Sequence, residues 1–125
     1  MIVGIGTDIV AVERLRSMYQ RHGEAALEKL LAPGERADFA RAPDPGRFLA
    51  KRFAAKEAFA KAYGTGLRAP LTLPNIAVVH DALGKPGFVF AAELEAELSN
   101  KRLLAHLSIS DEKEHAIAFV LLEKE

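Results

Sequence analysis

The chain has 125 residues, half of them hydrophobic, with 17 Lys plus Arg balanced by 17 Asp plus Glu. That length and apolar content suit one domain with one core over residues 1–125. Zero net charge gives no global attraction to nucleic acid or an anionic membrane, and the lack of cysteine excludes disulfides, thiolate nucleophiles and thiolate metal sites.

The opening stretch Met1 to Asp8 is short and β-branched and predicts a buried strand ending at an acid. It has no basic n-region, and no segment approaches the roughly 20 apolar residues of a membrane span, so a cytoplasmic protein is expected. Val12 to His22 predicts a helix closed by Gly23. Glu24 to Ala32 predicts a second, stopped by Pro33-Gly34, and Glu35 to Arg41 a third short one. Asp44-Pro45 supplies a cap and a first-turn proline for a helix running to about Tyr63, with Gly64 as its left-handed terminator. A Gly- and Pro-rich loop follows to Pro74. Strands are predicted at Asn75 to His80 and Gly87 to Phe90, a helix at Ala91 to Asn100, and two further strands at Leu103 to Ser110 and His115 to Glu123. The expected fold class is α+β, helices packed on a mainly antiparallel sheet.

The segment Arg47 to Lys61 carries the strongest chemical pattern. At about 100° per residue, Arg47, Lys51, Ala54, Glu57, Ala58 and Lys61 share about a third of the circumference. Phe48, Leu49, Phe53, Phe59 and Tyr63 occupy the remaining arc and predict core contacts. Three cations can neutralise phosphate oxygens, and small alanines would let a bulky anion approach. A solvated face held by a Glu57–Lys61 pair at i, i+4 explains the same spacing.

Asp8, at a predicted strand end, can project into a cleft. One or two carboxylates plus substrate phosphates commonly hold Mg²⁺, so Asp8 and Glu57 are candidate ligands. Capping the next helix is the competing role for Asp8. Gly4-x-Gly6 does not extend into a dinucleotide fingerprint, because Ile9 stands where the third glycine belongs. His22, His80, His106 and His115 lack metal-ligand spacing. His106 alternates with Ser108 and Ser110 and could face a cleft or serve as a structural histidine.

Taken together, Gly4-Ile-Gly-Thr-Asp-Ile-Val10, Arg47 to Ala58 with Lys61 and Gly64-Thr-Gly66, Gly84-Lys-Pro86, and His106-Leu-Ser-Ile-Ser110 resemble the holo-acyl carrier protein synthases, the bacterial 4′-phosphopantetheinyl transferases of fatty acid biosynthesis. The resemblance follows the family's order across nearly the whole chain. It implies transfer of 4′-phosphopantetheine from coenzyme A to a serine of apo acyl carrier protein, releasing adenosine 3′,5′-bisphosphate. It further implies Mg²⁺ on Asp8 and Glu57, Lys61 near coenzyme A phosphates, and a homotrimer with active sites between subunits.

On this reading Glu57 and Lys61 are catalytic, and either Glu57 or a metal-bound water accepts the serine proton. Arg47, Lys51, Lys61, Gly64, Lys85 and His106 are the candidate coenzyme A contacts. Arg14, Met18 and Arg21, at i, i+4 and i+7, are candidates for docking the acidic carrier protein, although a solvated basic edge with Met18 in the core has the same spacing. Asp111 departs from the histidine found in many members, which leaves its role open. A non-enzymatic module binding a nucleotide or acidic partner would account for the cations but not for a meeting of Asp8 and Glu57. A relative serving a polyketide carrier would share the chemistry.

Overall fold

A 19-residue helix, α4 (Pro45–Tyr63), is the axis of the computed structural model, which describes residues 1–125. Asp44 caps it by accepting from the Arg47 backbone N–H at 3.2 Å, and Pro45 enters at the first turn. Gly64 ends it at φ 92°, a left-handed conformation suited to glycine, and its N–H returns to the Ala60 carbonyl at 2.9 Å.

Strand β1 (Ile2–Ala11) leads directly into α1 (Val12–His22), followed by α2 (Glu24–Leu30), a 3₁₀ turn (Pro33–Glu35) and α3 (Arg36–Ala40). After α4 come a 3₁₀ turn (Leu73–Asn75), β2 (Ile76–His80), β3 (Pro86–Phe90), α5 (Ala92–Asn100), β4 (Leu103–Asp111) and β5 (His115–Lys124). β1, β5 and β4 form one antiparallel sheet in that order, and β2 and β3 form a separate antiparallel hairpin. The α+β class is therefore as expected. β1 runs past the expected end at Asp8, because Ile9 and Val10 continue to pair with Ile117 and Ala116 of β5. The second helix stops at Leu30, two residues early, because Leu31 is already extended, with ψ at 143°.

Strand alternation sorts the large sheet into two faces. Gly4, Gly6, Asp8 and Val10 of β1, with Ala116, Ala118, Val120 and Leu122 of β5, turn toward α4. One contiguous core of 26 buried residues lies between them and the helices. Ile5, Ile9, Leu104, Ile117 and Phe119 lie on the opposite face and remain 40–62 % exposed.

The approach of β1 to α4 is very close. A Cβ on Gly4 would stand 2.1 Å from the Ala62 carbonyl oxygen, and one on Gly6 would stand 2.1 Å from that of Ala58. Both contacts are to backbone, which cannot swing away, so only glycine fits. Ala54 and Ala58 are correspondingly 0 % exposed. This corrects the expectation that these alanines open the helix to an anion: their small size admits the sheet. No helix is long and apolar enough to cross a membrane.

Candidate active site

The close seam between β1 and α4 brings Asp8 to the C-terminal half of the helix. Lys61 Nζ donates to Asp8 Oδ1 at 3.1 Å and to the Thr7 carbonyl at 2.9 Å. Asp8 Oδ2 is buried and has no hydrogen-bond partner. A buried carboxylate oxygen without a donor is uncommon and calls for an explanation, an ion among the possibilities.

Glu57 lies close enough to Asp8 for the two charges to interact. Burial, and then the negative charge of Asp8, raise the Glu57 carboxyl above its ordinary value, while Lys61 and Arg14 act in the opposite direction. Lys61 pairs with Asp8 and not with Glu57, so the i, i+4 pair considered from spacing is not what organises this face. A half-buried glutamate repelled by a neighbouring aspartate, beside an orphaned carboxylate oxygen, suits a hard divalent cation. Mg²⁺ binds with one or two carboxylates and completes its shell with water and phosphate oxygens. No group of three or more His, Cys, Asp or Glu side chains gathers anywhere in the chain. Asp8 and Glu57 would thus be the protein's share of such a shell.

Glu57, Ala60, Lys61, Gly64, Gly66 and Leu67 line an open cavity of about 280 Å³. Gly64 thus belongs beside the carboxylate pair, but its N–H is engaged by Ala60. Arg14 sits across from this group on α1, its guanidinium 5.4 Å from the Phe53 ring centroid. Arg14 and Arg21 are exposed, and Met18 is half-buried against the core, which preserves the basic edge expected on α1.

The remaining expected contacts do not join this cavity within one chain. Arg47 donates to Asp111 Oδ2 at 2.9 Å and to the Glu112 and Lys113 carbonyls at 2.7 and 3.0 Å. It therefore clamps the β4–β5 turn, because those acceptors already occupy its fork. Lys51 Nζ is 3.9 Å from Asp111 Oδ1, and Arg47 and Lys51 line a second cavity of about 270 Å³ with His80 and Arg52. The basic face read from the helical wheel thus divides into two sites at opposite ends of α4. Asp111, whose role was open, is the partner of Arg47 and Lys51.

Lys85 is exposed in the β2–β3 turn, where its backbone N–H donates to Asp81 Oδ1 at 2.9 Å. His106 is on the outer sheet face, 2.7 Å from Glu123 Oε1. The expected alternation of His106 with Ser108 and Ser110 is present, but in an isolated chain it points away from α4.

Sequence reasoning missed a buried ionic cluster behind the site. Glu35, Arg52 and Lys56 are 1 %, 7 % and 0 % exposed. Lys56 Nζ reaches Glu35 Oε1 at 2.6 Å, the Leu30 carbonyl at 2.7 Å and the Leu73 carbonyl at 3.1 Å. Glu35 also accepts from the backbone N–H groups of Ala32 at 2.8 Å and Val78 at 3.0 Å, and from Arg52 at 3.0 Å. Burial pulls the Lys56 ammonium below its ordinary value, and Glu35 opposes the shift. The available signal was angular: Lys56 lies about 180° around the helix from Arg47, in the arc expected to be core.

Comparison with known proteins places these features in context. The family model of the 4′-phosphopantetheinyl transferase superfamily matches residues 4–120. The holo-[acyl-carrier-protein] synthase of Dechloromonas aromatica is 66 % identical over 123 residues, covering 98 % of each chain. The crystal structure of the holo-[acyl-carrier-protein] synthase from Neisseria meningitidis superposes with a TM-score of 0.95 at 46 % identity, covering 99 % of this chain and 100 % of that one. The Bacillus anthracis holo-(acyl-carrier-protein) synthase, solved in complex with CoA (3′,5′-ADP), gives a TM-score of 0.83 at 36 % identity over 100 % and 99 % of the two chains.

Proposed function

Because this chain belongs to the 4′-phosphopantetheinyl transferase superfamily, we infer that it is an enzyme transferring 4′-phosphopantetheine from coenzyme A to a serine of apo acyl carrier protein. Adenosine 3′,5′-bisphosphate leaves, and the holo carrier protein serves fatty acid biosynthesis. The observation that carries the reading at the level of residues is the convergence of Asp8 and Glu57, with one Asp8 oxygen buried and unsatisfied.

The serine oxygen attacks the β-phosphorus, and the bond from that phosphorus to the bridging oxygen of the nucleotide breaks. Asp8 and Glu57 would hold Mg²⁺, which when bound supplies charge neutralisation for the pyrophosphate and for the departing phosphate. Lys61 lends a fixed positive charge at the same place, held by Asp8 and the Thr7 carbonyl. Of the chain's own groups here, Glu57, the only carboxylate lining this cavity, is the one suited to take the serine proton. Gly64 and Gly66 border the cavity without side chains and leave room for the substrate.

Two further parts of the reading concern partners. Arg14 and Arg21, exposed on the helix next to Glu57, offer positive charge to an acidic carrier protein, with Met18 between them. The apolar outer face of the sheet supports assembly of copies into a homotrimer, since an exposed patch of such residues marks an association surface. In that assembly His106 and Lys85 would reach coenzyme A only from a neighbouring copy. The enzyme would act in the cytoplasm, where both substrates are made. Incubation with coenzyme A, Mg²⁺ and apo acyl carrier protein should add one phosphopantetheine to the carrier, read by intact-protein mass spectrometry. An unmodified carrier would overturn the reading, and sedimentation as a monomer would overturn the trimer.

A further inference from the structure

The seam between β1 and α4 presents a problem of register. Ala54, Ala58 and Ala62 recur every four residues along the helix, and Gly4 and Gly6 press against the backbone of two of them. A repeating small-residue seam looks much the same after a slip of one helical turn. Such a slip translates the helix by about 5.4 Å and removes Glu57 from the neighbourhood of Asp8. Something non-repeating must therefore choose the register.

Lys56 is the non-repeating element next in sequence to Glu57. All three of its donors have partners, drawn from three different elements: the Leu30 carbonyl of α2, Glu35 of the first 3₁₀ turn and the Leu73 carbonyl of the second. Glu35 in turn ties the socket to β2 through the Val78 N–H. A slipped or rotated α4 would leave the Lys56 ammonium buried without partners and the buried Glu35 carboxylate without its cations, held only by the Ala32 and Val78 N–H groups, which is strongly disfavoured. A single buried polar residue sets register in helical assemblies by the same logic.

We propose that Lys56 is a positioning residue: its ammonium, seated on Glu35 and the Leu30 and Leu73 carbonyls, fixes the axial and rotational setting of α4 and so holds Glu57 opposite Asp8. Lys56 touches no substrate. Its effect on the reaction passes through Glu57, and the inference rests on the reading of Asp8 and Glu57 as a divalent-cation site.

The test compares Lys56→Met, which keeps the stem and removes the donors, with wild type and Glu57→Gln. Free Mn²⁺ is followed by electron paramagnetic resonance in the presence of coenzyme A, alongside steady-state kinetics below the melting temperature. Lys56→Met should weaken Mn²⁺ binding and lower kcat by about tenfold, the scale seen when a group supporting a metal ligand is lost, with the KM for coenzyme A unchanged. A merely structural role would lower the melting temperature and leave Mn²⁺ affinity of the folded protein at the wild-type value, which overturns the proposal. Should Lys56→Met fail to fold, Glu35→Gln/Lys56→Met, which removes both charges of the pair, takes its place under the same criteria. If neither variant folds, Lys56 is a folding determinant only and the positioning claim is overturned. Wild type binding Mn²⁺ no better than Glu57→Gln would instead overturn the cation site itself, and this inference with it.

Discussion

Lys61 Nζ stands 3.1 Å from Asp8 Oδ1 across the β1–α4 seam, and the other oxygen of that carboxylate is buried without a donor. Strand and helix are thus joined at the site by an ion pair that satisfies only half of its acid. The arrangement leaves an acceptor direction for a second cation and keeps Lys61 close to the same point. Glu57 completes the group from the preceding turn of α4.

The crowding of Asp8 and Glu57 has a consequence for pH. Folding raises the Glu57 carboxyl above its ordinary 4.5, through burial first and Asp8 second, against the pull of Lys61 and Arg14. Between the unfolded and folded values the native state therefore binds more protons than the unfolded state. Stability from this group is present below the unfolded value and is lost as pH rises through the folded one. Glu57→Gln should accordingly raise the Tm of the metal-free protein at pH 7 relative to wild type, with the gain shrinking at pH 4. Thermal melts at the two pH values in chelator check this.

Gly6→Ala should be severe. The added methyl would sit 2.1 Å from the Ala58 carbonyl oxygen and 2.7 Å from the Ala62 nitrogen, so the strand must lift from the helix. Overpacking of this kind costs about 3 kcal/mol or more. At this chain length that corresponds to a Tm loss on the order of 10 °C. Urea melts should show a lower midpoint, and any folded fraction should transfer phosphopantetheine poorly, because Asp8 lies two residues along the displaced strand.

Arg14→Glu should raise the KM for carrier protein by about tenfold and leave the KM for coenzyme A nearly unchanged, as reversal of an exposed steering charge acts on encounter. The difference between wild type and variant should narrow as salt rises. Equal losses for both substrates would count against a docking role.

Much of the fold was legible because local chemistry and tertiary packing agree. Asp44-Pro45 and Gly64 bracket α4 as a cap and a left-handed stop should, and the period-two pattern of β4 separates His106, Ser108 and Ser110 from Leu107 and Ile109. Asp8 and Glu57 could be singled out, but their meeting depends on Gly4 and Gly6, whose meaning appears only when the helix backbone is seen against them. The helical wheel gave the angles around α4 correctly and still grouped Arg47 with Lys61, because angle ignores distance along the axis. Arg47 finds Asp111 and two turn carbonyls at its own end. Lys56 escaped notice for a related reason: a lysine in an apolar arc reads as an error of pattern until Glu35, 21 residues earlier, is shown to meet it.

The most direct test of the central claim is transfer by Glu57→Gln and Asp8→Asn, followed by mass spectrometry of apo acyl carrier protein while Mg²⁺ is titrated at saturating coenzyme A. Both variants should lose activity by about a hundredfold or more, with a shifted Mg²⁺ dependence, since each removes a charged ligand from one shared ion. Wild-type turnover by either variant at saturating Mg²⁺ would contradict the account.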